Sequence, residues 1–227
     1  MLLQRLFVLS VLFAVFGVIS ACAYHLATPI TGEDARLSEP PVPLGRYCAM
    51  DEDGALDPDC ATLAWREDTG LFEIRDSGGE PPRQFALVRL GEGMVAAESV
   101  TVEEIAYPYE VYLFIHTETA FALLPIANDE DARELAGQYS GLVIDPQQDG
   151  VYIEGGAPEI VRGFLGACGR VALARLREEG EVPDVAVYAP DKLVQASPAQ
   201  LKSRERLIAL AEALADDAPV LTRETLP

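Results

Sequence analysis

Ala61-Thr62-Leu63-Ala64-Trp65-Arg66-Glu67-Asp68-Thr69-Gly70-Leu71-Phe72-Glu73-Ile74-Arg75 carries the pattern on which the fold class turns. The runs Ala61–Trp65 and Leu71–Arg75 alternate in character, and Asp68-Thr69-Gly70 between them supplies a tight reversal, so the stretch predicts a β-hairpin. Downstream, Asp76-Ser77-Gly78-Gly79 turns the chain again. Gln84–Leu90 and Met94–Glu98 then flank Gly91-Glu92-Gly93, and Glu110–Ile115 and Ala120–Pro125 flank a polar His116-Thr117-Glu118-Thr119. From Gly45 to Ile126 the reading is an antiparallel meander of about six short strands.

After Asn128 the period changes. Asn128 caps a helix running through Ser140, with Asp129, Glu130 and Asp131 in its first turn, where the helix dipole favours anions. Leu142–Ile144 and Val151–Ile153 form a second type of hairpin across residues 146–150. Pro158 opens a helix whose apolar stripe includes Ile160, Val161, Phe164, Leu165, Cys168, Val171, Ala172 and Leu176. Asp184–Tyr188 reads as one more strand. Ser197-Pro198-Ala199-Gln200 is a capping box before a helix carrying Leu201, Leu207, Ile208, Ala211 and Leu214 on one stripe. The expected class is α+β: an antiparallel β-meander followed by helix–hairpin–helix and a C-terminal amphipathic helix. Residues 44–227 are expected to form a single domain with sub-lobes at 44–126 and 127–227.

The formal net charge is −20 over 227 residues, and 49% of them are hydrophobic, which is too apolar a composition for disorder. The only lysines are Lys192 and Lys202, and no basic run exists, so no nucleic acid or anionic head group is expected as a partner. Two histidines, His25 and His116, exclude most histidine-dependent metal and triad chemistry.

Arg5 precedes an apolar run, Leu6–Ile19, which is short for a membrane-spanning helix and suits a signal peptide. The tetrad Ile19-Ser20-Ala21-Cys22 resembles the lipobox of bacterial lipoprotein precursors. That resemblance covers the targeting segment alone. It implies a signal peptide at 1–21, cleavage before Cys22, a diacylglycerol thioether on Cys22, and anchoring of an acylated N-terminus in a membrane. With Ala23 rather than Asp after the cysteine, it also implies passage to the outer membrane in a two-membrane bacterium, the protein facing the periplasm. The alternative is an uncleaved apolar anchor with an incidental cysteine. Residues 22–43, ending in Pro40, Pro41 and Pro43, lack apolar periodicity and read as a lipidated, Pro-rich tether, with His25 solvated in it.

Export leaves Cys48, Cys60 and Cys168. Cys48 and Cys60 bracket a turn-rich stretch and are expected to pair in an oxidising compartment. Cys168 falls on a helical stripe and is expected to be inert packing. Between the first two lies Asp51-Glu52-Asp53-Gly54-Ala55-Leu56-Asp57-Pro58-Asp59. It is similar to the Asp-rich calcium loops of thrombospondin-type repeats and to a truncated EF-hand loop, which would make Asp51, Asp53 and Asp57 Ca²⁺ ligands. The outer ligand positions fall on Ala49 and Cys60, neither of which supplies a carboxylate, so a solvated acidic loop is the competing reading. No other cofactor is expected.

Gly91-Glu92-Gly93 precedes a strand rather than a helix and reads as a hairpin turn, not a phosphate loop. Gly163, Gly166 and Gly169 are read as a close-packing run. His116 closes a strand with no nucleophile elbow in the chain and reads as a surface residue. Glu103 and Glu104, as strand neighbours, face opposite ways and make a poor glycosidase pair. Tyr107-Pro108-Tyr109-Glu110-Val111-Tyr112 is aromatic-rich, with Pro108 marking an edge. Tyr107, Tyr109 and Tyr112 are either sheet packing or a partner-binding surface. The functional expectation is a lipid-anchored envelope protein without catalytic activity that binds or assembles with another envelope protein. The alternatives are an envelope hydrolase whose carboxylates converge in the fold, and a Ca²⁺-stabilised structural lipoprotein.

Overall fold

The computed structural model describes residues 23–32, 35–76, 81–100, 106–148, 150–190 and 193–221. Residues 1–22, with the signal peptide and Cys22, lie outside the described residues, as do Glu103 and Glu104. The elements are β1 (Tyr24–Leu26), β2 (Gly45–Met50), β3 (Ala61–Arg66), β4 (Leu71–Arg75), β5 (Arg83–Gly91), β6 (Met94–Val100), β7 (Tyr109–His116), β8 (Ala120–Leu123), α1 (Asp129–Ala136), β9 (Val143–Ile144), β10 (Tyr152–Gly155), α2 (Pro158–Glu179), β11 (Val185–Tyr188) and α3 (Pro198–Asp216).

Eight of the strands close on themselves in the order β6-β5-β4-β3-β2-β11-β8-β7, with β7 returning to β6. Every neighbouring pair around the ring is antiparallel. The expected class, α+β with an open meander followed by helix–hairpin–helix, is therefore corrected: this is a closed antiparallel β-barrel, with three helices among the described residues. Two pairings make the difference. β11, a four-residue strand from late in the chain, sits between β2 and β8, and β6 pairs with β7 over Met94↔Ile115 through Val100↔Tyr109. Alternation in sequence reveals that a segment is a strand with two faces, but not which distant strand will satisfy its free edge. Because β11 belongs to the later half of the chain, residues 44–126 and 127–227 build one barrel jointly.

Alternation then assigns the two faces of the wall. Leu63↔Ile74, Trp65↔Phe72, Phe72↔Phe85 and Val95↔Phe114 stand opposite one another and point into the barrel. The intervening residues point outward. On β5 to β8 these include Val88, Met94, Ala96, Leu113, Ile115, Ala120 and Ala122, buried in the same core as the apolar faces of the helices. On β3 and β4, where the outer face carries Thr62, Arg66, Glu73 and Arg75, the wall meets solvent, and Glu73 is covered by its ion pairs to Arg66 and Arg75.

Helix α1 is capped by the Asn128 side chain, which accepts from the Asp131 amide, and it ends at Ala136, short of the expected Ser140. Helix α3 has the full capping box of Ser197 and Gln200. Helix α2 buries Phe164, Leu165, Cys168 and Val171. Gly169 lets it approach the barrel closely: a Cβ there would stand 2.9 Å from the Met94 Sδ. Among the described residues no helix is long and apolar enough to cross a membrane.

The segment read as a tether contributes to the fold. β1 pairs antiparallel with β7 through Tyr24↔Val111 and parallel with β10 through His25↔Tyr152, and β9 extends this wing. Ile30 is fully buried, and its amide donates to Glu98 at 2.6 Å. Leu37 donates from its backbone to Leu87, and Val42 is buried against the barrel. His25 is half-buried and stacks on Tyr152 with ring centroids 4.5 Å apart.

Candidate apolar site in the barrel interior

An eight-stranded barrel is just wide enough for its inward side chains to fill it or to leave room for one small ligand. Here the inward positions leave an apolar cavity of about 50 Å³. A water molecule occupies roughly 10–15 Å³ on such a measure, so the space corresponds to a short run of carbon atoms. Leu63 from β3, Phe72 and Ile74 from β4, and Phe85 and Leu87 from β5 form one wall. Val95 and Ala97 from β6, Phe114 and His116 from β7, and Phe121 from β8 form the other, and Pro41 and Val42 complete the lining. No polar atom contributes surface to the cavity. Leu63, Ile74, Phe114 and Phe121 are only half-buried, so the interior is not sealed from solvent.

Aromatic contacts hold the wall in place. Phe114 meets Phe121 edge-on with centroids 5.9 Å apart, Trp65 meets Phe72 at 4.7 Å, and Phe85 meets Tyr112 at 5.9 Å. On the β2–β11 side, Tyr47 packs against Phe121 at 5.0 Å and Tyr188 at 5.6 Å, and its hydroxyl donates to the Pro43 carbonyl at 2.8 Å. Gly45 makes that stack accessible to Tyr188. It has φ +137°, and a Cβ there would lie 2.8 Å from the Tyr188 ring.

Compared with known proteins, the chain matches no family model, no curated protein and no solved structure.

Among the described residues, His116 is the titratable one in the lining. Its Nδ1 is buried without a hydrogen-bond partner, and burial, with a smaller contribution from the Arg89 charge, pushes its pKa below the ordinary histidine value. The neutral imidazole suits an apolar interior. Acid changes that, because the unfolded chain takes up a proton near pH 6.5 that the folded chain refuses. Stability conferred by the neutral His116 is complete above that pH and is lost as pH falls below it. We therefore expect the melting temperature to drop between pH 7 and pH 5, and His116→Leu to flatten part of that slope. An unchanged slope in His116→Leu would remove His116 from the account, leaving His25, which burial also shifts down.

The residues singled out by sequence are dispersed. Cys48 and Cys60 stand at disulfide distance, their Cα atoms 4.4 Å apart, and join β2 to the start of β3. Asp51 accepts from the Ala55 amide and Asp57 from the Asp59 amide, each at 2.7 Å, so these carboxylates cap turns; Asp53 offers its carbonyl to Gln195. Among the described residues no three acidic, His or Cys side chains come together as a metal site. Tyr112 lies in the barrel interior, its hydroxyl donating to Glu110 at 2.8 Å. Tyr107 is buried and donates to Asp145 at 2.9 Å, and desolvation with that contact pushes its pKa up to about 12. Tyr109 packs against the main core. These tyrosines form no shared exposed face. Cys168 is fully buried and its thiol pKa is pushed well up by burial. The cavity residues themselves escaped the sequence reading. Their signal was present as aromatic and aliphatic side chains at alternate positions of six strands, but only closure makes those faces converge.

Proposed function

We propose that this protein is a lipid-anchored bacterial envelope protein, periplasm-facing and without catalytic activity, whose barrel interior binds an apolar group. The single observation that supports it is a cavity lined from six strands to which no polar atom contributes surface. The chemistry that recognises such a lining is that of an acyl chain, or of an apolar side chain offered by another envelope component. Ala23 after Cys22 favours the outer membrane as the destination, and an oxidised Cys48–Cys60 pair suits an exported protein.

Titration of the unacylated full-length Cys22→Ser protein with a fluorescent fatty acid tests the reading. Saturable binding is expected, and Ala97→Phe, which places a ring where Ala97 lines the cavity, is expected to weaken it at least tenfold. Overpacking of this kind costs about 1–3 kcal/mol of stability, so the variant is checked for a cooperative melt. Arg66→Ala, on the outer face of the wall, leaves binding unchanged. No saturable binding to the unfilled barrel, or equal binding by Ala97→Phe, refutes the assignment.

A further inference from the structure

β7 has only two residues, Tyr112 and Leu113, between Val111, which pairs with β1, and Phe114, which pairs with β8. β1 and β8 therefore run end to end along one flank of β7. β8 holds the positions on β7 next to the end of β1; the Leu124 amide, for instance, donates to the Leu113 carbonyl. Ala23 is 3% exposed and belongs to the interior cluster with Phe85, Leu87, Ala97 and Tyr112. The outer side of the same spot is filled. Tyr24, Leu113 and Leu124 are each 1% exposed, and Gly169 of α2 lies directly over Leu124. Cys22 is one covalent step, about 3.8 Å between Cα atoms, from Ala23. Ala23, its neighbour in sequence, thus has packed core on one side and the half-open barrel interior on the other.

We propose that the barrel interior houses the end of an acyl chain carried by Cys22. This rests on the acylation and apolar-binding reading above, and it names the occupant of that same cavity. Three features favour it. The cavity is apolar and of a size for a few methylene groups rather than a whole lipid. Covalent attachment one residue from the wall gives the chain a high effective concentration over any free competitor. An acylated N-terminus also brings no ammonium charge into an apolar interior. The own chain then acts as a plug that an incoming apolar ligand must displace.

The acylated protein, reconstituted in vesicles of phosphatidylethanolamine and phosphatidylglycerol, is tested with a diazirine-bearing amino acid in place of Leu63, which lines the cavity. Photolysis followed by mass spectrometry is expected to join position 63 to the lipid on the N-terminal peptide of the same chain. In parallel, Cys22→Ser is expected to bind the fluorescent fatty acid at least tenfold more tightly than the acylated protein. Cross-linking to vesicle phospholipid alone, or equal fatty-acid affinity of the two forms, overturns the plug while leaving the apolar-binding reading intact. Failure of Cys22→Ser to bind fatty acid at all overturns both. A probe at Phe121 replaces the one at Leu63 if the latter variant does not fold.

Discussion

Arg175→Met is expected to destabilise the protein by about 3 kcal/mol, at the lower end of what breaking a buried ion pair costs. The Asp131 carboxylate is 5% exposed and receives two hydrogen bonds from the Arg175 guanidinium, at 3.0 and 3.1 Å. With Arg175 gone, that charge keeps Asn128, whose amide donates to it at 2.9 Å, and remains out of water. The lower end is chosen because Arg175 is 31% exposed, so solvent already screens part of the attraction. For a domain of this size the loss corresponds to a fall of about 6–12 °C in melting temperature. The reverse lesion, Asp131→Leu, is milder, since an orphaned Arg175 can reach solvent. The double variant is expected to recover most of the loss by removing the stranded charge. A change below about 0.5 kcal/mol in Arg175→Met, read by denaturant melts, would contradict the pair's role in tying α1 to α2.

Glu98→Leu is the second large effect. Glu98 is 4% exposed on the outer face of β6 and accepts from the Ile30 amide at 2.6 Å and the Thr31 hydroxyl at 2.5 Å. Arg162 secures the same turn by donating to the Ile30 carbonyl at 3.1 Å. Replacing the carboxylate with an isobutyl group strands a buried amide, a loss of about 2–3 kcal/mol given the charged acceptor. Glu98→Gln keeps an oxygen for Ile30 while the Thr31 hydroxyl turns to accept, so it should lose about 1 kcal/mol. The distinctive readout is local. Hydrogen exchange at Ile30 should accelerate in Glu98→Leu by far more than exchange in α2, because the N-terminal segment is released from the wall before the barrel opens. Uniform acceleration across the chain would mean that Glu98 serves the barrel as a whole.

Both predictions concern groups that no motif marks. Asp131 reads in sequence as one of three acids in a helix's first turn, and only the packing of α1 against α2 separates it from Asp129 and Glu130. Glu98 reads as the polar end of a strand. The tyrosines of residues 107–112 illustrate the converse: their composition suggests an interface, and the fold buries Tyr107 and Tyr112 and sets them on different sides of the sheet system. The acidic loop at residues 51–59 has the residue types of a cation site, yet Asp51 and Asp57 turn their oxygens to backbone amides four and two residues on.

Local chemistry in the sequence determined the elements. The alternation around Asp68-Thr69-Gly70, the turn at Gly91-Glu92-Gly93, the Asn128 cap and the Ser197 capping box each act over a few residues, and strands and helices stand where those signals place them. The tertiary structure decided the rest. Alternation defines two faces of a strand and is silent on which becomes the inside of a barrel. That choice follows from curvature, from helices covering the outer apolar positions, and from a four-residue strand more than 60 residues downstream of β8 filling the gap beside β2. The fate of residues 23–43 was equally non-local, because Ile30, Leu37 and Val42 are too sparse to show a period and are ordered by partners on β5, β6 and the barrel mouth. The cavity exists only because closure brings the inward faces of six strands together around a common axis.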